Sequence, residues 1–167
     1  MNKRNKIIAM IGVMAAFAAV LSYIEAMIAF SIWIPGVKLG LANIAVVIVL
    51  YLYGEKEALS VNVIRIIIVS LLFGNMFSML YSLAGAAFSF IAMVLFKKMD
   101  CFSALGVSVA GGVFHNLGQA IVASFIVNTY SVMFYVPALI IAGIVTGIII
   151  GIVSKAIIRY MTKYKLT

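Results

Sequence analysis

A chain of 167 residues that is 66% hydrophobic, with a mean hydropathy of +1.28, has too little polar surface to cover a soluble globule. Twelve Lys and Arg against four Asp and Glu give a net charge of +8, which in so apolar a chain orients helices and meets anionic lipid rather than nucleic acid. One Cys and one His exclude an internal disulfide and a multi-thiolate metal site.

The apolar runs have the length of helices, since a hydrocarbon core about 30 Å thick takes roughly 20 apolar residues. They lack the alternation of an outer-membrane barrel. The first helix is predicted over about 7–30. Its start imitates a signal peptide, with a basic stretch from Asn2 to Lys6 and a small-residue site at Ala16-Phe17-Ala18. The apolar run nevertheless continues to about Phe30 and reads as an uncleaved spanning helix. A connection holding Trp33, Pro35, Gly36 and Lys38 leads to a second helix over about 39–53. The Gly54-Glu55-Lys56-Glu57 turn precedes a third over about 58–73, and Gly74-Asn75 turns into a fourth over about 76–96. After Lys97-Lys98-Met99-Asp100, a fifth covers about 103–127. Asn128-Thr129-Tyr130-Ser131 leads into a sixth over about 132–158, with Pro137 in its first turn. The expected architecture is all-α and integral to the membrane: a single domain, residues 1–167, forming a six-transmembrane-helix bundle. The second and third helices are short for a span, so they are either shielded by neighbours or end in loops that dip into the protein.

Ten of the twelve basic residues fall in four polar segments: Lys3, Arg4 and Lys6; Lys56; Lys97 and Lys98; Lys155, Arg159, Lys163 and Lys165. With six spans these segments share one side, which the positive-inside rule makes cytoplasmic, together with both termini. Cys101, beside Lys97, Lys98 and Asp100, then lies on the reducing side. Trp33, Tyr130 and Tyr135 suit an outer aromatic belt. Gly143, Gly147 and Gly151 in the sixth helix, and the pairs Gly12/Ala16 and Ala15/Ala19 in the first, form small-xxx-small faces. Such faces serve either packing within the chain or a partner.

The remaining polar residues are the informative ones, because an ionisable group near the bilayer centre costs about 2.5–3.5 kcal/mol on insertion scales and is usually paired or faces a cavity. Glu25, Lys38, Asn43, Arg65, Tyr81, His115, Asn116 and Gln119 fall in the middle or outer half of the expected bundle. They are expected to shape a pocket open to the outside for a small, polar, partly aromatic ligand. Four of them have a plainer alternative. Glu25 and Arg65 can neutralise each other, His115 can be an interhelical hydrogen-bonder, and Lys38 can snorkel to headgroups. Asn62 and Asn75, near helix ends, are given no role. No Walker A loop, GxGxxG sequence or pair of aspartates is present, so neither ATP hydrolysis nor magnesium-diphosphate chemistry is expected of this chain.

A series of segments carries a resemblance: Pro35-Gly36-Val37-Lys38-Leu39-Gly40-Leu41-Ala42-Asn43-Ile44, Tyr53-Gly54-Glu55-Lys56-Glu57-Ala58, Ser70-Leu71-Leu72-Phe73-Gly74, Tyr81-Ser82-Leu83-Ala84-Gly85, Gly106-Val107-Ser108-Val109-Ala110-Gly111, His115-Asn116-Leu117-Gly118-Gln119 and Ala142-Gly143-Ile144-Val145-Thr146-Gly147. In this order, over roughly 7–155, the chain resembles the small bacterial membrane family labelled "Gx transporter" or "heptaprenyl diphosphate synthase component I". That family is in turn similar to the substrate-binding S components of energy-coupling factor (ECF) vitamin importers. The resemblance implies an ECF S-component-like bundle of six helices with N- and C-termini cytoplasmic, in the bacterial cytoplasmic membrane. It implies an Ala-xxx-Ala face, matched by Ala15 and Ala19 with Gly12 and Ala16 beside it. That face docks on an ECF coupling transmembrane subunit joined to two ATPase subunits. The Pro-x-x-Lys-Leu segment is most similar to riboflavin-binding members, although Gly40 stands where they carry an aspartate. The implied cargo is a vitamin-like small molecule, with flavin the specific guess, and no intrinsic cofactor. The synthase label implies instead a noncatalytic membrane subunit of isoprenoid-quinone biosynthesis, since the lone Asp100 cannot form an aspartate-rich magnesium site. A stand-alone ion-coupled carrier using Glu25 and Arg65 is a third expectation.

Overall fold

The computed structural model describes residues 2–28, 40–74, 76–127 and 134–164. Among these residues there are six helices and no strand: α1 (Lys3–Ile28), α2 (Asn43–Leu52), α3 (Glu55–Phe73), α4 (Met76–Lys98), α5 (Ala104–Val127) and α6 (Val136–Lys163). Four of them, α1, α4, α5 and α6, contain stretches long and apolar enough to cross a membrane.

The helix ends follow local chemistry. Gly54 precedes α3 at φ +121°, a conformation closed to most L side chains. Glu55 and Glu57 occupy the first turn of α3, where their charge complements the helix dipole. The segment expected as a turn before residue 58 is therefore mostly the start of the helix. Lys97 and Lys98 close α4 with the opposite sign. Pro137 sits in the first turn of α6, as expected. That helix continues past the expected end near 158 because no Gly or Pro interrupts 152–163. It carries exposed Lys155, Arg159 and Lys163 at four-residue spacing along one stripe.

The second helix is the core of the fold. It has only 10 residues, and every one from Asn43 to Leu50 is buried. A helix that is apolar all round belongs inside, and α2 packs against α1, α3, α5 and α6. At about 1.5 Å per residue it is roughly 15 Å long, far short of a bilayer core. Its shielding by neighbours is thus the alternative that the structure adopts.

On the other side α5 lies between α4 and α6. Gly143, Gly147 and Gly151 face α5, and a Cβ on Gly147 would lie 2.6 Å from Val109 Cα. The glycine stripe is consumed by packing within the chain. Among the described residues α1 packs chiefly against α3 and α2. Contacts also order the ends of the bundle. Lys97 Nζ donates to Leu50 O (2.6 Å) and Lys98 pairs with Glu55 (3.4 Å). Ile158 packs into the cluster that includes Val61, Met10 and Phe96. The starts of α1 and α3 and the ends of α2, α4 and α6 therefore gather at one basic end. The Tyr23–Phe73 ring pair, with centroids 4.7 Å apart, lies towards the other.

Candidate functional site

Two short sequence spacings build the first polar cluster. Ser22 and Glu25 on α1, and Asn62 and Arg65 on α3, are each three residues apart and so share a helix face. The packing of α1 on α3 turns those faces toward one another. The Arg65 guanidinium is buried, donating from Nε (3.0 Å) and Nη2 (2.8 Å) to Asn62 Oδ1. Its Nη1 donates to Ser22 Oγ at 3.3 Å. Asn62, which the sequence reading left without a role, is thus the principal partner of the buried cation, and Ser22 is a second partner that it missed. The i, i+3 spacing of Asn62 and Arg65 is the signal that could have found them.

Glu25 has a different occupation. Its Oε1 accepts from Gly40 N–H (2.7 Å) and its Oε2 from Leu41 N–H (3.0 Å). These amides open the turn that leads into α2, where Asn43 N–H donates to Gly40 O. The carboxylate therefore closes the N-terminal end of the buried helix, the end that carries positive dipole. Gly40 reaches this geometry at φ +71°, where a side chain would be strained and would crowd Asn43 Nδ2. Glu25 remains within Coulombic reach of Arg65, but the hydrogen bonds of each go elsewhere.

The other end of α2 is treated in the opposite sense. Lys97 Nζ bonds to Leu50 O in the last turn and lies 5.3 Å from the Tyr51 ring centroid. Lys97 counts toward orientation in the sequence, yet in the fold it also terminates the core helix. An anion from α1 and a cation from α4 bracket the dipole of α2.

The second polar cluster lies in the α4–α5 seam. His115 and Gln119, four apart on α5, are buried against Gly85 of α4, where a Cβ would come within 2.7 Å of Gln119 Cγ and 3.1 Å of the His115 ring. Gln119 is 1% exposed, and neither its Oε1 nor its Nε2 has a hydrogen-bond partner among the described residues. Such an omission costs about 1–3 kcal/mol per buried group. His115 and the half-buried Tyr81 are each engaged by neighbours. Asn116 turns the other way, with Nδ2 donating to Leu139 O of α6 at 2.9 Å. Asn43 is buried at the start of α2. The expected site residues thus separate into an α1–α2–α3 group and an α4–α5–α6 group. Lys38, with Trp33, Pro35, Gly36, Asn75 and Tyr130, lies outside the described residues.

The small-residue face of α1 also divides. Ala15 is 1% exposed and turned into the bundle. Gly12 and Ala16 are exposed, Ala19 is half-buried, and no described residue lies within 4 Å of a Cβ placed on Gly12. The outward pair is therefore Gly12/Ala16, while Ala15 is occupied by internal packing. No group of three His, Cys, Asp or Glu side chains gathers as a metal site among the described residues.

The sequence model of one family, described as heptaprenyl diphosphate synthase component I, matches residues 14–157. No curated protein and no solved structure matches the chain.

Proposed function

The chain belongs to the heptaprenyl diphosphate synthase component I family, and from that premise we propose that it is the substrate-binding S component of an ECF-type importer. In this reading all six helices lie in the bacterial cytoplasmic membrane, α2 deep within the bundle, with both termini cytoplasmic. The cargo is a small vitamin-like molecule, flavin being the specific candidate. The chain itself catalyses nothing, and ATP hydrolysis resides in partner subunits.

The observation that carries this reading is the asymmetric burial of polarity. The basic residues other than Lys38 and Arg65 sit in or beside the helix ends that gather together or in the C-terminal stretch. Glu25, Arg65, His115 and Gln119, by contrast, are buried within helices. Glu25 has a structural use as the cap of α2, but a buried guanidinium held only by the neutral Asn62 and Ser22 costs insertion energy, and such a group by default marks a functional site. Of the residues expected to bind the cargo (Glu25, Lys38, Asn43, Arg65, Tyr81, His115, Asn116 and Gln119), the proposal rests on the α1–α2–α3 group of Glu25, Asn43 and Arg65, with the α4–α5 group of Tyr81, His115 and Gln119 as a second polar wall. Gly12 and Ala16 present the proposed docking face, with Ala19 at its edge and Ala15 behind it. Co-purification with a coupling transmembrane subunit and two ATPases tests the proposal. Gly12→Leu with Ala16→Leu is expected to abolish that assembly while leaving the chain folded. Full assembly by the double variant would remove the docking face.

The family description supplies a second reading, a noncatalytic membrane subunit that accompanies a prenyl diphosphate synthase. It predicts co-purification with that soluble enzyme and uptake unaffected by Arg65→Lys.

A further inference from the structure

Among the described residues, Arg65 is the only buried cation. A guanidinium carries five N–H donors. Three are used, two on Asn62 Oδ1 and one on Ser22 Oγ, and both acceptors are neutral. The other two, one on each terminal nitrogen, have no partner among the described residues. The nearby acid does not fill the gap, because both Glu25 oxygens accept backbone N–H groups at the entrance to α2.

The local charges roughly balance: Arg65 contributes +1 and the N-terminal end of α2 about +0.5, while Glu25 contributes −1 and the last turn of α1, on which it sits, about −0.5. What is left over is hydrogen-bonding capacity, two guanidinium N–H groups on a buried cation, and such donors match the oxygens of a carboxylate or phosphate.

We propose that Arg65, held by Asn62 and Ser22 and set beside the Glu25-capped start of α2, is an anion-binding site that takes a carboxylate or phosphate group of the transported molecule. The proposal rests on the substrate-binding reading above for the identity of the occupant, and on the unfilled donors for its chemistry. Asn62 and Ser22 are positioning residues: they fix the plane of the guanidinium and leave its remaining N–H groups for the ligand.

The test uses the full chain in nanodiscs of zwitterionic lipid, titrated with inorganic phosphate against chloride at fixed pH and ionic strength. Phosphate is expected to raise Tm saturably, by roughly 5–10 °C at a hundredfold excess over its dissociation constant. Arg65→Gln is expected to abolish the rise. Arg65→Lys keeps the charge, protects folding and loses the paired geometry, so its dissociation constant should weaken at least tenfold. Lys155→Gln, on the exposed stripe of α6, should leave the rise unchanged. A second arm replaces part of the lipid with anionic lipid and omits phosphate. An Arg65-dependent rise there assigns the site to a lipid headgroup, and a rise with phosphate alone assigns it to a solute. An absent or non-saturating rise in both arms, or one that Arg65→Lys leaves intact, overturns the site. A saturable, Arg65-dependent rise in a protein that captures no coupling module would keep the anion site and discard the importer reading.

Discussion

Glu25→Ala tests the role of the carboxylate at the start of the core helix. The substitution removes acceptors from Gly40 N–H at 2.7 Å and Leu41 N–H at 3.0 Å. A hydrogen bond to a charged group contributes about 1.5–3 kcal/mol, and each N–H stranded away from water costs a similar amount. Loss of the favourable charge–dipole contact adds up to about 2 kcal/mol in partly buried geometry. These contributions overlap, since they describe the same two contacts, so the expected loss is about 3–5 kcal/mol. Glu25→Gln retains one good acceptor and should lose about half of that. The comparison substitution is Glu55→Gln, which removes the exposed pair with Lys98 at 3.4 Å and is expected to change stability by about 0–1 kcal/mol. Reversible unfolding in mixed micelles, followed by circular dichroism, gives the three values. Glu25→Ala within about 0.5 kcal/mol of the parent, or no more harmful than Glu55→Gln, would refute the capping account.

Three further substitutions probe the packing. Lys97→Met should destabilise by about 1–3 kcal/mol in the same assay, because Leu50 O loses a charged donor at 2.6 Å. Gly147→Val should destabilise by at least about 1–3 kcal/mol, since even its Cβ would lie 2.6 Å from Val109 Cα. Gly12→Ala, where a Cβ meets nothing within 4 Å, should be neutral or stabilise by about 0.5–1 kcal/mol through reduced backbone freedom. A loss at Gly12 matching that at Gly147 would mean that the two glycines had been assigned to the wrong surfaces.

Much of the helical plan can be read from the residues, because long apolar runs and their polar breaks are local properties. The fourth and fifth helices fall within two residues of their expected limits. The shortness and central position of α2 cannot be read in this way. An all-apolar run from Ile44 to Leu52 looks the same whether lipid or protein surrounds it, and only its neighbours settle which. Arg65 and Glu25 stand out as ionisable groups in apolar sequence, but their partners depend on how α1 meets α3 and on where Gly40 and Leu41 lie against α1. The backbone N–H groups that hold Glu25 have no sequence signature. Asn62 was within reach, three residues from Arg65 on the same face, and its closeness to the helix start hid it. Ala15 and Ala16 show the limit of spacing arguments on α1. Neighbours in sequence sit about 100° apart around a helix, so one is buried and the next exposed. Lys97 illustrates a charge with two roles, orientation and the closing of α2, of which composition exposes only the first.

The most direct measurement is native mass spectrometry of the gently purified full chain, set beside the Arg65→Lys variant. One small polar molecule bearing a carboxylate or phosphate is expected, bound one to one and lost or strongly depleted in the variant. A chain that carries no such molecule, or one that retains a polyprenyl diphosphate equally in both forms, would contradict it.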